Sequence, residues 1–264
     1  PFSHNNNIPE THWRGEYFYN PGLINKPFVI RDEGIGNLVY EERINDGEVS
    51  PPNDFEGVRW SRTINVQNDQ YQINFTLKKG LLRVRLDNKV IIYQEYGVLY
   101  HNGVVINRRG ANTVIIEYMG NKSDNNGIAI EFKKCRRVRI KNADNGLFLK
   151  EENGRMVTGD GNGNPYFWYI ETLPSDNRLI RIRNSVTNHY IHQERNISYI
   201  QATSIPIAAW SSHWWLTSIG QNRYELKNRW TSNGILHIPD NSTQVNYTFR
   251  QGHSHYRNWI LEEH

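Results

Sequence analysis

Apolar and polar residues alternate one by one along most of this chain, and no long window repeats apolar residues at helical spacing. A period of two is the signature of strands that bury one face. Tyr17 and Tyr19 flank Phe18 in a strand stopped by Asn20-Pro21-Gly22, and PFVIRDEGIGNLVY from Pro27 reads as a short strand ending in a glycine-punctuated loop. Phe55, Val58, Trp60, Ile64 and Val66 approximate a buried face, followed by the clean alternation of Tyr71, Ile73 and Phe75. LLRVRLDNKVIIY predicts two strands about an Asp87-Asn88 hairpin turn, and NTVIIEYMG and GIAIEFKK supply the last strands before Cys135. The count is about eight to ten strands at sandwich-like spacing. Residues 1–12 lack any period and read as a flexible lead-in, and the polar stretch with Pro51-Pro52 reads as a long surface loop.

Beyond Cys135 the pattern repeats. RVRIKNADNGLFL from Arg137, LIRIRNSVTNHYI from Leu179 and RYELKNRWTSNGIL from Arg223 each alternate up to an asparagine (Asn142, Asn184, Asn228), turn, and close on an apolar pair. Val138, Ile180 and Tyr224 mark equivalent positions, and Trp168, Trp215 and Trp259 are expected to close the three copies. Three copies of several short strands fit a closed threefold arrangement better than an open solenoid. The fold class expected is all-β: an N-terminal β-sandwich over 13–135 and a C-terminal β-trefoil over 136–264, with repeats 136–177, 178–222 and 223–264.

Composition agrees with strands joined by polar turns, since Asn accounts for 33 of 264 residues and favours turns. The net charge of +4 lies entirely in the repeat half, too mild a balance for a dedicated nucleic-acid binder and compatible with acidic glycans. A single cysteine excludes an intrachain disulfide framework, and no apolar run reaches the length of a membrane span. Starting at Pro1 without a leader, the chain reads as a piece of a larger parent protein with other domains.

WRGEYF, Pro27, Arg31-Asp32, Ser50-Pro51, NDFEGVRW, Tyr71-x-Ile73-x-Phe75 and GANTVIIEY, in this order, resemble the module named after the anthrax toxin protective antigen. That resemblance implies a secreted or surface-associated β-sandwich of toxins, adhesins and glycosidases that often binds carbohydrate. In the family's yeast adhesins, paired aspartates on a loop hold a calcium ion. Lys78-Lys79-Gly80 stands at the matching position here, and ammonium groups cannot ligate a cation that needs oxygen donors. The repeat half resembles the ricin B-like trefoil family in repeat number, length and terminal tryptophan. It lacks that family's Gln-x-Trp, and Lys150, His192 or Gln193, and His237 stand near the place of its sugar-gripping acid.

Candidate chemistry is sparse. Glu41-Glu42, Glu151-Glu152 and Glu262-Glu263 are adjacent in sequence, so on a strand each pair points to opposite faces, and they read as solvated acids. His253, His255 and His213 lack acids or cysteines at ligand spacing, so no metal or other cofactor is expected. The basic run Lys133, Lys134, Arg136, Arg137, Arg139 and Lys141 reads as a solvated strand edge rather than an anion patch. Aromatic residues in polar loops are the better lead, because sugars present apolar C–H faces and hydroxyl rims. The candidate carbohydrate site is Trp210 with His213, Tyr199 and Gln201 in the second repeat, Trp230 with Asn228 and Asn233 in the third, and Tyr166 with Asn162 and Asn164 in the first. The function expected is non-catalytic, lectin-like glycan or glycoprotein-receptor binding, extracellular or at a cell surface, with no nucleic acid and no membrane span. The alternative is a protein-interaction scaffold that binds no sugar.

Overall fold

The computed structural model describes residues 7–20, 22–24, 26–41, 57–67, 69–96, 100–120, 127–173, 175–231, 234–240, 242–249 and 255–264. The chain is all-β and divides into two compact units, Pro1–Lys134 and Cys135–His264. The Pro51-Pro52 loop and residues 1–6 of the expected lead-in lie outside the described residues. Residues 9–12 are fastened rather than loose: Thr63 N–H donates to the Glu10 carbonyl and His12 Nδ1 meets the Asp32 carboxylate at 3.0 Å.

The first unit contains β1 (Arg14–Phe18), β2 (Val29–Asp32), β3 (Leu38–Glu41), β4 (Gly57–Val66), β5 (Tyr71–Leu86), β6 (Lys89–Tyr96), β7 (Tyr100–Ile106), β8 (Gly110–Met119) and β9 (Gly127–Lys134). They form one open sheet carried over into two layers by β5. Its first half pairs with β7 and β9, and its second half pairs with β8 and β6. The sequence pattern predicts two strands here, and one 16-residue strand forms instead. The join is a bulge at Leu77/Lys79 followed by Gly80 at φ +116°. A Cβ on Gly80 would lie 2.7 Å from the Met119 carbonyl oxygen, so only glycine lets the strand change layers there. Lys78-Lys79-Gly80 is therefore strand rather than loop. Ile73, Phe75 and Leu77 from one half of β5 and Leu82 and Val84 from the other fill a common core with Trp60, Ile116 and Ile130.

Charge fixes the register on the other face of these strands. Glu16, Arg59, Glu117 and Arg83 stand in one cross-strand row over β1, β4, β8 and β5. The fully buried Glu117 accepts from both Arg59 Nε and Arg83 Nε. A one-residue slip would bury a carboxylate without its partners, which costs several kcal/mol by order of magnitude. At Asp87-Asn88, φ of 48° and 66° gives the left-handed turn that the hairpin needs.

The second unit repeats one plan three times. The first copy is β10 (Arg136–Asn142), β11 (Phe148–Glu152), β12 (Arg155–Gly159) and β13 (Phe167–Leu173). The second is β14 (Asp176–Asn184), β15 (Tyr190–His192), β16 (Gln201–Thr203) and β17 (Trp214–Gly220); the third is β18 (Arg223–Asn228), β19 (Gly234–His237), β20 (Asn246–Thr248) and β21 (Trp259–Glu263). β10, β13, β14, β17, β18 and β21 pair in sequence around a ring that closes through β21–β10. The other three strand pairs form hairpins that cap it. At the centre of the cap, Met156 N–H donates to Ile200 O, Ile200 N–H to Val245 O, and Val245 N–H to Met156 O. All three side chains are completely buried, so the threefold axis runs through this triangle. A six-stranded barrel capped by three hairpins about a threefold axis is a β-trefoil.

Two residue types hold this plan. Asn142, Asn184 and Asn228 are buried, and each donates its amide to a carbonyl in the last loop of the preceding copy, Tyr256, Pro165 and Ser211 respectively. Each amide oxygen accepts the next backbone N–H groups two and three residues on, which forms the turn that the sequence predicts. Trp168, Trp214 and Trp259 are fully buried and donate their indole N–H to Leu149, Ile191 and Leu236 carbonyls. Trp214, not Trp215, is thus the equivalent of Trp168 and Trp259. Register agrees, because Val138, Ile180 and Tyr224 pair with Trp168, Trp214 and Trp259. Trp215 points to the opposite face, where the Arg178 guanidinium lies 5.4 Å from its ring centroid.

Candidate functional site

The threefold plan separates residues that the fold requires from those it tolerates. Four residues before each buried tryptophan stand Asn164, Trp210 and His255; one before it stand Phe167, His213 and Asn258. One and two after each latch asparagine stand Ala143-Asp144, Ser185-Val186 and Arg229-Trp230. The backbone geometry is the same in all three copies, since Ala143, Ser185 and Arg229 each donate their N–H to the residue preceding the tryptophan. Only the junction of the second and third copies carries the set Trp210, His213, Arg229 and Trp230.

That junction is built around the Ser211 carbonyl, which accepts both Gln193 N–H and Asn228 Nδ2. Three segments meet there: the loop from Gln193, the short 3-10 turn Trp210–Ser212, and the turn after Asn228. Trp210 opens the 3-10 turn with 51% of its surface exposed. The Arg229 guanidinium lies on one face of its ring, 4.0 Å from the centroid. Arg195 lies in the same way on Trp230, at 4.1 Å. These stacks combine dispersion with attraction between the cation and the ring quadrupole.

His213 sits under Arg229 and is buried. Its Nε2–H donates to Ile207 O at 2.7 Å, which leaves Nδ1 as the acceptor facing Arg229 Nη1 at 3.4 Å. Desolvation pushes its pKa down to about 4, and the nearby Arg181 and Arg229 charges act in the same direction. The ring therefore stays neutral and orients Arg229, and both its nitrogens are engaged within the protein. Beneath the turn, the buried Arg181 donates to Ser212 Oγ and Ile205 O and stacks on Tyr190 at 3.5 Å. Next to it, the buried pair Arg183 and Glu171 is bonded to Tyr190 and Asn188.

The remaining sequence-predicted residues are dispersed. Asn228 is fully buried, and its amide is committed to the turn and to Ser211, so it offers no polar group to a ligand. Asn233 lies outside the described residues. Tyr199 and Gln201 belong to the cap: Tyr199 bridges to Asn246 and carries the Arg155 guanidinium at 4.4 Å, while Gln201 pairs with His192 and Arg155. Tyr166 is buried, so it presents no platform; the Asn162 amide donates to Asp160, and Asn164 is exposed and accepts Ser185 Oγ–H through its backbone carbonyl. Arg229 and Arg195 are the residues that sequence reading missed. Aligning the copies on their asparagines would have exposed Arg229, since alanine and serine hold the same place elsewhere.

Other candidate chemistry is engaged as well. Glu151 pairs with His189, Glu152 with Lys150, Glu262 with Arg139 and Lys141, and Glu263 with Arg136. Glu42 and His253 lie outside the described residues. The basic run is ion-paired along its length apart from Arg137, which stacks on Phe167 at 3.9 Å. No group of three or more metal-ligating side chains occurs among the described residues, and no helix among them is long and apolar enough to cross a membrane.

No family model and no curated protein matches this chain. Among solved structures, the designed threefold-symmetric protein ThreeFoil is 15% identical over 48% of this chain and 97% of its own, with a TM-score of 0.42. A GlcNAcα1-4Gal releasing endo-β-galactosidase from Clostridium perfringens is 13% identical over 97% of this chain and 93% of its own, with a TM-score of 0.44. SeviL bound to asialo-GM1 saccharide is 16% identical over 48% of this chain and 96% of its own, with a TM-score of 0.40. The assignment of the second unit as a β-trefoil stands on its closed barrel and threefold cap.

Proposed function

We propose that this chain is a non-catalytic carbohydrate-binding fragment whose trefoil offers one glycan site, at the junction of its second and third copies. Trp210 is the platform for the C–H face of a sugar, with Arg229 on one of its two faces and the Trp230–Arg195 pair supplying a second ring and cation at the junction, and His213 holds Arg229 in place. One observation carries the reading: a tryptophan stands half exposed at a position where the other copies have Asn164 and His255, so the fold gains nothing from it there. Exposed aromatic faces ringed by polar donors suit sugars, which need dispersion and hydrogen bonds together. The engagement of the two described acidic pairs, Glu151-Glu152 and Glu262-Glu263, in ion pairs supports a binding rather than a catalytic role. The motif order in the first unit favours a module of the protective-antigen type acting outside the cell or at its surface.

A glycan array on the whole chain, repeated with a chelator, tests this. Binding that survives the chelator and is lost in Trp210→Ala is the expected result. Absence of binding to every glycan, with capture of a protein receptor by the same chain, would establish the interaction-scaffold alternative instead.

A further inference from the structure

We infer that the site selects saccharides bearing an anionic group, a carboxylate or a sulfate, over their neutral parents. This rests on the glycan reading above and narrows it. A platform for neutral sugar is usually an open ring with amide or hydroxyl partners at its edge. Here both rings at the junction carry an arginine. The guanidinium carbon of Arg229 lies over the Trp210 ring and that of Arg195 over the Trp230 ring. A guanidinium has five N–H donors in a fixed fork, so even with one directed at His213 it can receive a planar carboxylate or a sulfate through two parallel bonds.

Neither arginine has a carboxylate within ion-pair distance among the described residues, whereas most basic side chains of the trefoil do. The surroundings reinforce them. Arg181 is fixed and buried beneath the 3-10 turn, held by Ser212 Oγ and Ile205 O without a carboxylate of its own. Two acids stand nearby and are engaged: Asp176 is gripped by Arg178 through two bonds and also feels the Arg229 charge at longer range, and Glu194 faces His192 Nδ1 at 3.1 Å. Four arginines (178, 181, 195 and 229) against two carboxylates (176 and 194) leave the junction positive by two charges.

The fold does not ask for this charge. The threefold equivalents of Arg229 are Ala143 and Ser185, whose backbones make the same bond. An arginine placed on an exposed ring, with a buried neutral histidine set to orient it, is therefore an addition to the scaffold. The ligand chemistry that uses it is an anion attached to a ring-stacking sugar.

The test is binding of the whole chain to three glycans that share one backbone: neutral, carboxylated and sulfated. At least one charged form is expected to bind roughly tenfold tighter than the neutral form, the worth of one charge-assisted contact. That preference should shrink with added salt and disappear in Arg229→Gln. Arg229→Lys, which keeps the charge but not the fork, should retain part of it and checks that the loss in Arg229→Gln is not misfolding. Comparing the two charged arms identifies the anion. Equal binding of all three glycans, with Arg229→Gln unchanged, overturns the inference and leaves the glycan reading standing. Failure of all three to bind, together with an array on which the folded wild-type chain binds no glycan at all, overturns both.

Discussion

At the scale of single residues, the same side-chain types take opposite roles according to whether the threefold plan needs them. Asn228 and Trp214 are interior parts shared with two equivalents each, while Trp210 and Arg229 have none. His213 lies between these classes, because it is buried for the fold and turned toward Arg229 for the site. Its depressed pKa has a consequence for stability. The unfolded chain takes up the proton near the ordinary histidine value of 6.5 and the folded chain only near 4, so the unfolded state binds more protons between those values. The contribution is whole above pH 6.5 and falls away as pH drops toward 4, amounting to about 3 kcal/mol at 1.36 kcal/mol per unit. Urea unfolding of wild type and His213→Gln from pH 7.5 to 4 should give curves that converge on the acid side. Parallel curves would mean that the histidine titrates alike in both states.

At the scale of elements, the repeated phrase made the first two strands and the closing strand of each trefoil copy legible, while the third strands, β12, β16 and β20, are short and carry no clear apolar alternation. The closing tryptophan of the second copy was read one place too late. Adjacent Trp214 and Trp215 both satisfy a pattern that asks only for a tryptophan before an aliphatic residue. Period two decides between them: Trp214 shares its face with Leu216 as Trp168 does with Ile170 and Trp259 with Leu261. Trp214→Phe should therefore cost about 1–2 kcal/mol through the lost indole bond to Ile191 O and a smaller ring, whereas Trp215→Phe should stay within about 0.5 kcal/mol. Chemical denaturation of the two variants checks it, and equal losses would contradict the assignment. The single bent β5 was hidden for a different reason. Lys78-Lys79-Gly80 looks like a break in sequence, and only the close approach of Met119 and Tyr118 makes the glycine a crossing point between layers.

For the whole molecule, the fold was far more legible than the site. Strand patterns depend on neighbours in sequence, but Arg229 reaches Trp210 and Arg195 reaches Trp230 only after the barrel closes and brings separate copies together. Loops rich in Trp, Asn and His single out residues that the structure then separates: Trp210 and His213 meet at the junction, Tyr199 belongs to the cap, and Asn228 is a buried part of the turn. On the reading proposed above, the repeats furnish a scaffold and one asymmetric junction furnishes the binding. The most direct test is an NMR titration that follows the eight indole N–H signals while the best glycan from the array is added. The signals of Trp210 and Trp230 should shift, and those of Trp168, Trp214 and Trp259, buried and bonded to backbone carbonyls, should hold still. Shifts confined to tryptophans of the first unit, or an unmoved Trp210 at saturation, would contradict the account.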